Sequence, residues 1–132
     1  MRFTYNAKRS IIGAHSADTE YDFVIDGAAI DQDRKFDRDD TVALDGTQES
    51  ALHRIDIFWS CTTDFIETAA RLLLFHEFLD SVAGGEQFTF DGDAIDGDDV
   101  DPQTVVLVSK TTRRRRVGTS ANYAYQLRMR VV

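Results

Sequence analysis

From Asn122 to Val132 the chain alternates without a break. Tyr123, Tyr125, Leu127, Met129 and Val131 fall on one side, and Asn122, Ala124, Gln126, Arg128 and Arg130 on the other. Period two over that length fits a strand with one buried face and one wet or partner-facing face, and a helix cannot satisfy it. The segment Thr104–Ser109 (TVVLVS) is apolar on both faces and β-branched, the composition of a strand covered on both sides. Gly118 and its polar neighbours lie between the two and supply a turn, so the pair is expected to form an antiparallel hairpin. A sheet is the first requirement of this fold.

One helix is expected against that sheet. Asp64 stands where an N-cap would, with Glu67 three residues on in capping-box position. Ile66, Ala70, Leu73, Leu74 and Phe78, together with Leu72, Phe75, Leu79 and Val82, make a broad apolar face, and Gly84-Gly85 ends it. The expected helix spans about 65–83. Shorter alternations predict strands at Tyr21–Asp26, before the Asp45-Gly46 turn, at Arg54–Cys61 and at Phe88–Phe90. The residues therefore imply an α+β fold, mostly antiparallel, with one helix laid on the sheet. At 132 residues with nine Phe and 42% apolar content, a single domain over 1–132 with a real core is expected.

Charge is divided along the chain. Residues 1–101 carry 23 acids against 8 bases (−15), and residues 102–132 carry seven bases and no acid (+7), which gives the net −8. Such a split can be satisfied within one molecule, between copies of it, or by an outside polyanion. A pI near 4.7 argues against a general nucleic-acid binder. No apolar run approaches the roughly 20 residues of a membrane helix, no secretory leader is visible, and one cysteine rules out an intrachain disulfide.

The chemical constellations are sparse. The acidic stretch Asp91–Asp101 invites a calcium reading, but in an EF-hand frame Ile95 takes position 5 and Pro102 position 12, so it reads as a solvated loop. Arg113, Arg114, Arg115 and Arg116 could hold phosphates, yet in a strand they point to alternate faces, and no aromatics interleave for base stacking. With Arg128 and Arg130 they are the candidate intersubunit residues, to be matched by carboxylates; a solvated charged edge is the bland alternative. Cys61 could pair with His53 or His76 as a nucleophile, but it sits on the apolar side of its strand, where a buried small hydrophobe is the ordinary reading. The histidines His15, His53 and His76 lack metal-ligand spacing, and no phosphate loop or nucleophile elbow occurs. No enzyme, cofactor or metal is expected.

The element order resembles a known group. Thr41–Thr47 (TVALDGT), the strand His53–Trp59 (HRIDIFW), the helix end Phe75–Gly85 (FHEFLDSVAGG), Glu86–Asp91 (EQFTFD) and the closing alternating strand are similar to small tail proteins of tailed bacteriophages, of the tail-tube, distal-tail and minor-tail kind. The resemblance covers roughly residues 40–132. It implies a β-sandwich or half-barrel with one helix outside, and a virion structural protein in the phage tail. It also implies rings of copies, commonly six, contacts to other tail or head-tail proteins, no membrane, and DNA that passes without specific binding. The alternative from the residues alone is a small soluble ligand- or nucleic-acid-binding module acting through the Arg113–Arg116 hairpin.

Overall fold

The computed structural model describes residues 1–92, 102–109, 113–116 and 123–132; the notable acidic residues 93–101 and the turn around Gly118 lie outside that set. The described elements are β1 (Arg2–Asn6), β2 (Glu20–Val24), β3 (Gly27–Val42), β4 (Gln48–Thr63), α1 (Ala69–Val82), β5 (Gln87–Asp91), β6 (Gln103–Leu107), β7 (Arg113–Arg116) and β8 (Tyr123–Val131). All strands join one antiparallel sheet in the order β2-β1-β5-β6-β8-β4-β3, with β7 added beside β8. The α+β expectation holds, and the sheet stays open rather than closing into a barrel.

Its two outer strands are nonetheless consecutive in sequence, joined only by Ile25 and Asp26. Two residues cannot cross a flat sheet of seven strands, roughly 30 Å wide at 4.8 Å per strand. The sheet must curl until its edges meet at that corner. Contacts there agree: the Met1 amino group donates to the Ile25 carbonyl at 2.8 Å, and Asp64 N–H donates to the Asp26 carbonyl. The join is tight at Gly27: a Cβ there would stand 3.0 Å from Ile30 and 3.2 Å from the Met1 sulfur, so those side chains would have to shift.

The hairpin expected between the Thr104 segment and the final strand is present, with an interruption. β6 pairs with β8 as Leu107 opposite Met129, and β7 resumes as Arg113 opposite Gln126. Six steps on one strand thus answer three on the other, and β6 and β7 lie on the same side of β8, opposite β4.

The helix is shorter than expected. It begins at Ala69 with Thr68 as N-cap, the Thr68 hydroxyl accepting from Arg71 N–H at 3.3 Å. Asp64 is not the cap, because tertiary pairing holds residues 64–66 extended: Ile66 N–H donates to the Tyr123 carbonyl of β8. Replacing Thr68 by alanine is therefore expected to cost about 1 kcal/mol in urea unfolding. The C-terminal stop is as read, with Gly85 at φ +89°.

The core lies between α1 and the apolar face of the sheet. Phe78 stacks on Phe3 at 4.8 Å between ring centroids and meets Phe88 at 5.2 Å and Tyr5 at 5.3 Å; Phe75 packs on Tyr125 at 4.7 Å. Tyr125, Leu127 and Met129 are buried, as their alternation requires. Two elements escaped sequence reading: β1, although its Phe3 and Tyr5 alternate with Arg2, Thr4 and Asn6, and most of β3, whose charged residues conceal its strand character.

Candidate functional site

The six basic residues singled out from the sequence all fall on β7 and β8. Arg113–Arg116 run opposite Gln126–Tyr123, and Arg128 and Arg130 lie farther along the same partner strand. Arg128 is satisfied within the molecule: its guanidinium reaches Asp33 at 3.5 Å and Ser60 Oγ at 3.3 Å, and lies 4.7 Å over the Phe58 ring. Arg130 is exposed, opposite Phe58 on one side and Val106 on the other. The charge split is thus bridged in part inside one chain, through β3 and β8.

The other prominent surface was not legible as a unit. β3 and β4 are 16 residues each and pair along their whole length, turning at Ala43–Thr47. Gly46 at φ +87° makes that turn, and Thr47 N–H donates to the Asp45 carboxylate at 2.9 Å. β8 covers β4 only from Phe58 to Thr62, so residues 48–57 pair, among the described residues, with β3 alone. A two-stranded arm roughly 30 Å long projects from the body.

That arm has two unlike faces. On the side continuous with the core, buried Cys61 and Trp59 are followed outward by Ile57, then Ile55 opposite Phe36, then Leu52. Phe36 and Leu52 remain 56% exposed and Ile55 44%. The opposite side presents Asp31, Asp33, Asp37, Asp39, Glu49 and Asp56 against Lys35 and Arg54. Arg54 bridges Asp56 at 3.1 Å and Asp37 at 3.9 Å, and His53, extruded at a bulge, bonds Asp39 at 2.8 Å. Exposed ion pairs of this kind add little stability.

A buried polar cluster fastens the loop between β1 and β2 to the helix. Glu77 is fully buried, and its carboxylate accepts from Tyr5 O–H at 2.6 Å, Ile12 N–H at 2.7 Å and His15 Nδ1 at 2.6 Å. Burial alone would raise the Glu77 pKa; the bonds from Tyr5, Ile12 and His15 outweigh it, so the carboxyl sits below its ordinary value. Tyr5 is pushed upward by burial and by its bond to Glu77, which keeps it a donor. Ser81 Oγ accepts from Lys8 N–H, and Arg9 binds Glu86 at 2.8 Å, holding the Glu86 pKa down at about 2. This cluster fastens the loop to α1, with Tyr5 buried at its inner end and the Arg9 guanidinium half exposed at its outer end.

The residues weighed as a nucleophile and base are not brought together in bonded contact. Cys61 is buried, its thiol pushed up to about 12 by desolvation. His53 bonds Asp39 on the arm, and His76 bonds the Tyr125 hydroxyl at 2.9 Å. A hollow of about 740 Å³ opens between His76, Leu79 and Asp80 of α1 and Leu107–Ser109. Two of its polar groups, His76 and Tyr125, are already bonded to each other. No helix among the described residues is long and apolar enough to cross a membrane.

The fold is thus one antiparallel sheet with a helix on its apolar face and a long two-stranded arm. The structure is similar to a chain in the tail of an empty GTA (gene transfer agent) particle of C6 symmetry, at TM-score 0.53 and 14% identity, over 82% of this chain and 78% of that one. No protein-family model matches the chain, and no curated protein matches it.

Proposed function

We propose that this chain is a non-catalytic structural subunit of a bacteriophage-type tail, forming a tube, distal-tail or adaptor ring around the DNA channel. Copies of the chain, six to a ring, bind one another and neighbouring tail or head-tail proteins, and DNA passes without specific contacts. The arm carries this reading. An isolated two-stranded hairpin is marginal in water, and this one also exposes Phe36, Leu52 and Ile55. Another subunit lying on that face would bury the side chains and make the arm worth its length. The likeness to a C6-symmetric tail supports the same conclusion, since head-to-tail contacts between identical copies close rings.

Asp33 faces Phe58 across the arm's root, so an Asn-Gly turn can join those two residues and delete what lies between. The shortened chain is expected to fold and remain monomeric, whereas the full chain forms rings visible by negative-stain electron microscopy. A full chain that stays monomeric at high concentration, or a shortened chain that assembles equally well, defeats the proposal.

A further inference from the structure

The loop between β1 and β2 closes at its base, where Ala7 N–H donates to the Thr19 carbonyl and Asp18 N–H to the Ala7 carbonyl. Near that base two residues other than glycine hold left-handed backbone, Ser10 at φ +52° and Asp18 at φ +56°. Side chains disfavour that region, so the chain turns there under strain that a backbone rotation relieves. Residues 11–17 hang between these two points.

Polar contacts, more than apolar ones, hold them down. Ile11 packs in part against the core, whereas Gly13, Ala14, Ser16 and Ala17 are exposed. Ile12 N–H and His15 Nδ1 both donate to the buried Glu77 carboxylate. The His15 ring stacks on Tyr21 of β2 at 3.6 Å, and Ser16 N–H donates to the Tyr21 hydroxyl at 2.9 Å. The stretch before residue 11 is fastened differently. Arg9 donates to the Asp80 and Ser81 carbonyls as well as to Glu86, and Lys8 N–H donates to Ser81 Oγ. Carbonyls and hydroxyls of that kind do not titrate in the acid range. Glu77 is different, because its partners Tyr5, Ile12 and His15 all arrive as donors. A proton on that carboxyl weakens it as an acceptor and adds a hydrogen where hydrogens already converge; the Ile12 amide cannot reverse its role to receive it.

We infer that residues 11–17 form a flap, hinged at Ser10 and Asp18, that lifts off α1 when the Glu77 carboxylate takes up a proton, while the sheet stays folded. Lifting uncovers Glu77 and the Tyr5 hydroxyl and unstacks Tyr21. This device operates whether or not the chain belongs to a tail. The groups around the carboxylate fix its direction. Tyr5 faces Glu77 from β1 and His15 from the flap, with Tyr21 of β2 behind the His15 ring. Asp80 on α1 binds Ser10 Oγ at 2.5 Å and Glu86 binds Arg9, so both act on the hinge end. A proton gained by His15 adds positive charge beside the carboxylate and tightens the latch; a proton gained by Glu77 releases it. Burial works against the charged Glu77, but its bonds outweigh burial and hold it below the ordinary 4.5. The latch is therefore complete above about 4.5 and gives way as pH falls towards the lower, folded value.

Amide exchange of the unmutated chain, followed by NMR from about pH 6.5 to about pH 3.5 and corrected for the intrinsic pH dependence of exchange, tests the flap. Protection at Ile12, His15 and Ser16 is expected to stay level above about pH 5 and to fall about tenfold per pH unit below about 4.5, with the amides of β4 and β8 unchanged. The Glu77 carboxyl carbon shift should move over the same range. Glu77→Gln has no proton to gain, so its flap should be poorly protected at every pH and its profile flat. Asp80→Asn and Glu86→Gln should keep the unmutated profile. Flap amides that lose protection only together with β4 and β8 overturn the flap as a separate unit. A level profile in the unmutated chain, or one that still falls with acid in Glu77→Gln, overturns Glu77 as the latch. Should Glu77→Gln not fold, the carboxyl shift of the unmutated chain decides: a midpoint apart from that of the flap amides overturns it.

Discussion

Phe78→Ala is expected to lower stability by about 3–5 kcal/mol, the cost of deleting a large, fully buried ring in a site that cannot collapse. Phe78 is wholly enclosed and contacts Phe3, Tyr5, Phe75 and Phe88, which come from β1, α1 and β5. Phe3, Tyr5 and Phe88 are fixed in the paired strands β1 and β5 and Phe75 in α1, so the hole left behind stays open. Domains of this size hold only roughly 5–15 kcal/mol in total, and the variant should sit near the limit of folding. Leu73→Ala, on the exposed side of the same helix, is the control and should cost under about 1 kcal/mol. Urea midpoints for the two decide the matter. Equal costs would mean that α1 does not close the core, and the packing described above would be wrong.

Glu77→Ala should be comparably damaging, about 3–5 kcal/mol, because it strands the Tyr5 hydroxyl, the Ile12 amide and His15 without their acceptor. The loop between β1 and β2 would lose its deepest anchor. Glu77→Gln keeps the shape and removes the charge, so its effect separates the two roles. The folded Glu77 pKa lies below the ordinary 4.5. Its contribution is therefore complete above about 4.5 and drains away as pH falls through the lower, folded value. Glu86, held at about 2 by Arg9, acts in the same direction. The unmutated protein should lose stability between about pH 5 and pH 3 more steeply than Glu77→Gln does. Parallel curves for the two proteins over that range would show that the carboxylate is not the titrating anchor.

Much of the fold was readable because period two and period 3.6 leave different marks. The alternation through Tyr125, Leu127 and Met129 named β8 and its buried face, and Asp45-Gly46 named the arm's turn. The C-terminal stop of α1 at Gly84-Gly85 was read correctly for the same local reason. The failures were of another kind. Asp64 has every local mark of a cap, but Ile66 is claimed by Tyr123, a residue 57 positions away in the chain. β3 is highly charged and went unread over most of its length, because a strand that serves only one neighbour needs little apolar patterning to exist. Glu77 looked like any exposed helix glutamate until β1 and its loop folded over it.

The candidate site divided in the same way. The sequence located the basic cluster and its segregation from the acids, and the Asp33–Arg128 bridge shows that some of that charge is met at home. It was silent on the arm as a single projecting body, since the exposure of Phe36, Leu52 and Ile55 depends on where β8 stops covering β4. By itself the sequence determined the strand-rich class, the single helix, the turn at Gly46 and the separation of charge, because each follows from neighbours within a few residues. Only the tertiary structure decided which edges stay free, which face of the arm lacks cover and which carboxylate is buried. Those depend on long-range pairing, where the energy of a contact is set by what the rest of the chain has already excluded from water.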